Sequence, residues 1–231
     1  MANFSTTQSA TQSLTSTLFK SLYMQMSAAL TITGLVAYFL SQSSAYINML
    51  FNTPSLLWIV LIAQIGVVIL LSARLHSFSM STATILFILY SVLTGVSFGT
   101  IFLAYAMSDI IATFFVTAGT FFVTSLVGYV TRMDLSKMGS ILFMLLIGLV
   151  IATVVNIFLG SSGLYMVCTY LGVIVFVGLT AYDTQRIKAM FNEYGTADDN
   201  GQKLALMGAL MLYLNFINLF IYLLRLIGGR E

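Results

Sequence analysis

The stretch Gly178-Leu-Thr-Ala-Tyr-Asp-Thr-Gln-Arg-Ile-Lys188 closes an apolar run that begins near Leu164. That run approaches the ~20 residues a helix needs to cross the hydrocarbon core of a bilayer. At its inner end stands one carboxylate, Asp183. Every other acid lies in a connecting segment or at the terminus. An ionisable group at or inside a membrane boundary is costly and turns toward protein or trapped water rather than lipid. Asp183 therefore needs a partner, and the rest of the chain has to supply it.

Composition sets the class. Of 231 residues, 59% are hydrophobic and 7% charged, against roughly 25% charged in a soluble domain. So few charges cannot clothe a water-soluble fold, so the expected molecule is an integral, multi-pass membrane protein with the lipid bilayer as its first partner. A net charge of +2 is too small to suggest nucleic acid. The single cysteine, Cys168, and the single histidine, His76, exclude an internal disulfide and any site needing several thiolates or imidazoles. No resident metal or cofactor is expected.

Residues 1–19 are rich in Ser, Thr and Gln and carry no charge. They read as a flexible polar tail before a single membrane domain over residues 20–231. The segment Ser43-Ser44-Ala45 is a weak match to a signal-peptidase site, but the preceding run is too long for a signal h-region of about 7–15 residues. Seven apolar runs follow the tail, near Ser21–Leu40, Ser55–Ala73, Thr82–Tyr105, Ile110–Val130, Ser140–Leu159, Leu164–Tyr182 and Leu204–Ile227. They lack strict alternation, and lipid demands internally satisfied backbone, so helices are expected. With the N-terminus in the cytoplasm, the inner segments carry Lys20, Arg74, Arg132, Lys137, Arg186, Lys188 and Lys203. Only Arg225 and Arg230 fall outside. This is the positive-inside pattern, and it supports a count of seven.

Polar residues inside the runs have bland readings first. Ser91, Gly95 and Gly99 in the third run are small residues at helical spacing, a packing face. Thr113, Thr117, Thr120, Thr124 and Gly128 line one face of the fourth run. Their hydroxyls are expected to bond to their own backbone or a neighbouring helix rather than to line a wet path. Asn156 is expected to serve interhelical packing. Asp198-Asp199-Asn200-Gly201 lacks the spacing of a calcium-binding loop and reads as a solvated turn.

The seventh run gives the sharpest pattern. Gly208, Met211, Asn215, Asn218, Tyr222 and Arg225 recur every three or four residues and share a face. Such a stripe is expected to turn toward other helices, as a hydrogen-bonded seam or as the lining of an ion or proton path. For Asp183 the candidate partners are Arg74, Arg186 and Lys188 among the cations, and Gln64 and the Asn215–Asn218 seam among the neutral groups.

Gly178–Lys188 together with Gly208-Ala-Leu-Met-Leu-Tyr-Leu-Asn-Phe-Ile-Asn-Leu-Phe-Ile-Tyr-Leu-Leu-Arg225 closely resembles the Bax inhibitor-1 family, in its bacterial branch. Tyr90–Gly95 and Gly128–Ser136 resemble it too. The resemblance implies seven transmembrane helices with a central seventh wrapped by the other six, in a bacterial inner membrane. It also implies a pH-sensitive calcium leak, with calcium as the permeant ion. In the family's proposed mechanism, aspartates on the sixth and seventh helices share a proton, and a basic group of the second helix latches the first of them. Asp183 matches the sixth-helix acid and Arg74 the latch. Where the family usually carries its second aspartate, this chain has Asn215. An amide has the shape of a protonated carboxyl and donates a hydrogen bond, but it cannot share a proton with Asp183. The pH response implied by the family is therefore expected to be weakened or displaced.

Span arithmetic opposes a meeting of the two. Asp183 lies about 28 Å along the sixth helix and Asn215 about 17 Å into the seventh, at ~1.5 Å per residue. They meet only if the sixth helix starts above the outer boundary or continues below Ile187, or if a cytoplasmic funnel admits water. The other function class is a membrane regulatory protein acting on a membrane protease or a death-pathway component, through the Ser91–Gly95–Gly99 face or the tail. An intramembrane hydrolase is disfavoured, since His76 and Cys168 are expected near opposite boundaries and cannot form a nucleophile–base pair.

Overall fold

A computed structural model describes residues 2–53 and 55–228, with the side chains of residues 2–11 and of His76 outside that description. All regular structure among the described residues is helical. The long helices are α1 (Ala2–Ser41), α3 (Ser55–Arg74), α4 (Met80–Ala104), α5 (Met107–Val130), α6 (Ser136–Leu159), α7 (Ser162–Tyr194) and α8 (Asp199–Ile227). Each holds a segment long and apolar enough to cross a membrane, which accounts for the seven expected spans. The short helix α2 (Ser44–Asn52) lies between the first two.

Contacts gather the helices into two compact units: Met1–Ala104 with Met190–Leu210, and Tyr105–Ala189 with Met211–Glu231. In the first, the expected tail gives way to helix. The backbone is helical from Ala2, and Thr15, Leu18, Phe19, Leu22 and Met26 are buried at spacings of three and four. The polar composition hid an amphipathic stripe that begins well before the apolar run. Thr15 donates to Asn192 Oδ1 at 2.8 Å, and the rings of Phe19 and Phe191 meet edge to face at 5.1 Å.

The small-residue face of α4 is a packing face, as its spacing implies. A Cβ at Gly95 would lie 2.6 Å from Val36 Cβ, and Thr33 Oγ1 donates to the Ser91 carbonyl at 3.0 Å. Above it, Gly99 makes room for Tyr46 of α2, whose hydroxyl donates to the Val96 carbonyl at 2.6 Å. The Ser43-Ser44-Ala45 segment is the start of α2, where the Ser43 side chain accepts the Tyr46 N–H. With α1 and α2 on this face, it is not the free contact surface that a partner protein would need.

The second unit is built on close approach to α7. A Cβ at Gly128 of α5 would overlap the Ala181 carbonyl oxygen, and one at Gly139 of α6 would overlap the Tyr182 ring. Leu142, Leu149, Val175, Phe176, Leu219 and Leu223 form the apolar core here. Two of the α5 threonines behave as the bland reading holds: Thr117 donates to the Thr113 carbonyl at 2.7 Å and Thr124 to the Thr120 carbonyl at 2.8 Å. The buried Thr113 hydroxyl departs from it, with no hydrogen-bond partner among the described residues. Asn156 departs from its expected role. It ends α6, with its side chain accepting the Ser161 N–H at 3.1 Å and its carbonyl accepting the Gly160 N–H at 2.9 Å. Gly160 has φ +61°, the left-handed conformation that glycine takes most cheaply at a helix end.

Helix α8 is the most buried span, but its polar stripe does not occupy the deepest face. Leu212, Tyr213, Phe216 and Leu219 are buried, whereas Met211, Asn218, Tyr222 and Arg225 are only half-buried. Gly208 and Asn215 of the stripe are buried. Asn218 donates to the Leu214 carbonyl of its own helix at 2.8 Å, so it need not be enclosed, and Arg225 lies against the Tyr165 and Tyr222 rings.

Candidate functional site

Asp183 does not close its helix. α7 continues through Arg186 and Lys188 to Tyr194, about 17 Å further at ~1.5 Å per residue. α8 begins at Asp199, which sets Asn215 about 24 Å into it. The sixth span does continue below Ile187, one of the ways around the span arithmetic. With both helices longer than their apolar runs, Asn215 Nδ2 donates to Asp183 Oδ2 at 2.7 Å. The carboxylate is half-buried and the amide buried. When Asp183 is ionised, the charged acceptor makes this a stronger bond than one between neutral groups.

Three successive residues of α7 reach three different neighbours, because each step along a helix turns about 100°. Asp183 faces α8. Thr184 faces α5, with its hydroxyl 3.0 Å from that of Ser125, and it also donates to the Thr180 carbonyl at 2.7 Å. Gln185 faces the connection between α5 and α6: its amide donates to the Met133 carbonyl at 2.7 Å and its oxygen accepts the Leu135 N–H at 2.9 Å. One turn on from Thr184, Lys188 donates to the Tyr129 carbonyl at 2.7 Å and lies 4.5 Å from the centre of the Tyr129 ring. A cation on the last carbonyls of α5 also meets the negative end of its dipole.

Within that clamped connection, Asp134 accepts the Ser136 N–H at 2.9 Å. The Ser136 side chain and backbone, with a smaller contribution from Lys137, hold its carboxyl below the ordinary aspartate range. Before α8, Asp198 accepts from the Thr196 hydroxyl and from the N–H groups of Gly201 and Asn200. Those bonds, Thr196 first, lower its pKa as well. The expected solvated turn is thus also the cap of α8.

The structure brings Asp183 and Asn215 together. Gln64 is engaged elsewhere, donating to the Leu93 carbonyl at 2.9 Å and to Ser97 Oγ at 2.6 Å. Lys188 is spent on Tyr129, and Arg186 is exposed. Arg74 ends α3 in the other unit with its side chain exposed. Its assignment as a latch rests on the resemblance alone. Ser125, Thr184 and Gln185 were not singled out from sequence. The signal was there in the spacing: Ser125/Tyr129 and Thr184/Lys188 are both pairs four residues apart.

Comparison with known proteins decides the relationship. The family model described as inhibitor of apoptosis-promoting Bax1 matches residues 15–231. The chain belongs to the Bax inhibitor-1 family. Among relatives, it is 47% identical to inner membrane protein YbhL of Escherichia coli K12, covering 91% of this chain and 90% of that one. It is 43% identical to an uncharacterized protein of Borreliella burgdorferi, over 89% of both chains. It is 41% identical to the uncharacterized protein RP147 of Rickettsia prowazekii, covering 91% of this chain and 88% of that one. This Bax inhibitor-1 member is a multi-pass membrane protein whose α7 carboxylate is faced by an amide from α8.

Proposed function

We propose that this protein is a cation leak of a bacterial inner membrane, calcium being the ion the family points to, with Asp183 as its single titrating gate group. The observation that carries the reading is the 2.7 Å bond from Asn215 to Asp183. It joins two helices that carry the family's signature residues, within a membrane-spanning unit. The amide holds the place that a protonated second carboxyl would take, so the pair keeps one arrangement where a dyad would pass a proton. Its pH response is weaker than that of an acid pair. In this orientation the N-terminus and most Lys and Arg residues are cytoplasmic.

The test is calcium flux into liposomes loaded with an indicator dye, at a series of pH values. Wild type is expected to leak with a shallow pH dependence and Asn215→Asp with a steeper one. Identical pH profiles for the two would remove the role of the amide. Silence of the wild type without a partner, with a membrane protease co-purifying, would replace the leak by a regulatory function.

A further inference from the structure

At the far end of α8 from its capped start, Arg225 sits in the last helical turn. Its guanidinium carbon lies 5.2 Å from the centre of the Tyr222 ring and 5.5 Å from that of Tyr165, in the first turns of α7. The Tyr222 platform is fixed: it stacks on Phe176 at 5.7 Å, and it occupies the space a side chain at Gly172 would need. A guanidinium carries five N–H donors. Among the described residues, none of those on Arg225 goes to a carboxylate, a carbonyl or a hydroxyl. Ring faces satisfy its charge in part and, among the described residues, leave its hydrogen bonds unspent.

The surroundings say what could take them. The neighbouring ends of α6 and α7 present Phe158, Leu159, Met166 and Val167 outward, all exposed. On a membrane protein that is the face toward acyl chains, and aromatic rings with a basic residue at helix ends mark the headgroup level. We propose that Arg225, clamped between Tyr165 and Tyr222, binds the phosphate of a phospholipid headgroup in the leaflet at the C-terminal end of α8. Planar guanidinium donors pair with two phosphate oxygens at once, which the ammonium of a lysine does not do. The site is independent of the Asp183–Asn215 pair and of any leak.

Native mass spectrometry of the full chain, released from detergent with added phosphatidylglycerol, reads the bound lipid directly. Arg225→Gln is expected to weaken retention of one lipid about fivefold, the worth of one basic side chain at a membrane surface. Arg225→Lys is expected to recover part of the loss. Tyr165→Leu removes one ring of the clamp without changing charge and is expected to weaken the same lipid less, so it carries the test should Arg225→Gln not fold. Unchanged lipid retention in both Arg225→Gln and Tyr165→Leu would overturn the proposal. So would displacement of the lipid by inorganic phosphate at equal concentration, which would assign the site to a soluble anion.

Discussion

Helices α6 and α8 make an instructive pair. α6 is the most apolar span, yet only 11% of its apolar segment is buried; α8 is less apolar, and 72% of its apolar segment is buried. In a soluble protein the order would be reversed. In a bilayer the lipid tails are as apolar as leucine, so hydrophobicity does not rank helices for burial. Polar atoms that need partners and small residues that permit close approach do. α6 offers few of either on its exposed faces, while α8 brings Asn215 to a carboxylate and rests Tyr222 on a glycine.

That contrast can be broken at glycines. Leucine at Gly172, where a Cβ would already lie 2.5 Å from the Tyr222 ring, is expected to cost about 3 kcal/mol or to prevent folding. Leucine at Gly148 of α6, which has nothing within 4 Å, is expected to shift stability by less than about 0.5 kcal/mol. Thermal unfolding in detergent measures both, and equal losses would deny that α8 is the tightly packed member of the pair. A smaller effect sharpens the polar half of the contrast. Asn215→Leu leaves the Asp183 carboxylate without its amide, and a loss of about 1–3 kcal/mol is expected in denaturant titration. Asn218→Leu removes only a bond within α8 and is expected to cost less.

The smallest effect is at the start of α8. Thr196, Gly201 and Asn200 hold the carboxylate of Asp198 below its ordinary pKa. A depressed folded-state pKa contributes stability that is fully present above the unfolded value, about 3.9, and is lost as pH falls through the lower folded value. Asp198→Asn is therefore expected to lower stability slightly at neutral pH and to flatten the acid limb of the curve, the two proteins converging at low pH. Melting temperatures recorded from neutral to acid pH check this, and an unaltered acid limb would remove the cap from the account.

The local pattern told much of this. Seven spans follow from run length, because every bilayer crossing must satisfy its own backbone. The importance of Asp183 follows from the cost of a lone charge there. The α4 packing face and the back-bonded threonines of α5 also follow, since both depend on neighbours along one helix. Other features were hidden. The stripe Thr15, Leu18, Phe19 and Leu22 is too sparse to stand out against polar composition, and α2 is too short to register as a run. Asn156 is equally suited to a neighbouring helix and to the end of its own.

What no reading of one chain segment could supply is direction and partner. Spacing placed Asn218 and Arg225 with Asn215 on one stripe, but only packing separated them, burying the residue that reaches Asp183 and leaving the others half-exposed. The same holds for Gln64, taken up by the Leu93 carbonyl and Ser97, and for Lys188, taken up by Tyr129. The amino-acid order settles how far a helix can reach and what each side chain can donate or accept. Which atom receives it depends on helices distant in sequence, and the donor goes to the nearest acceptor that their packing presents.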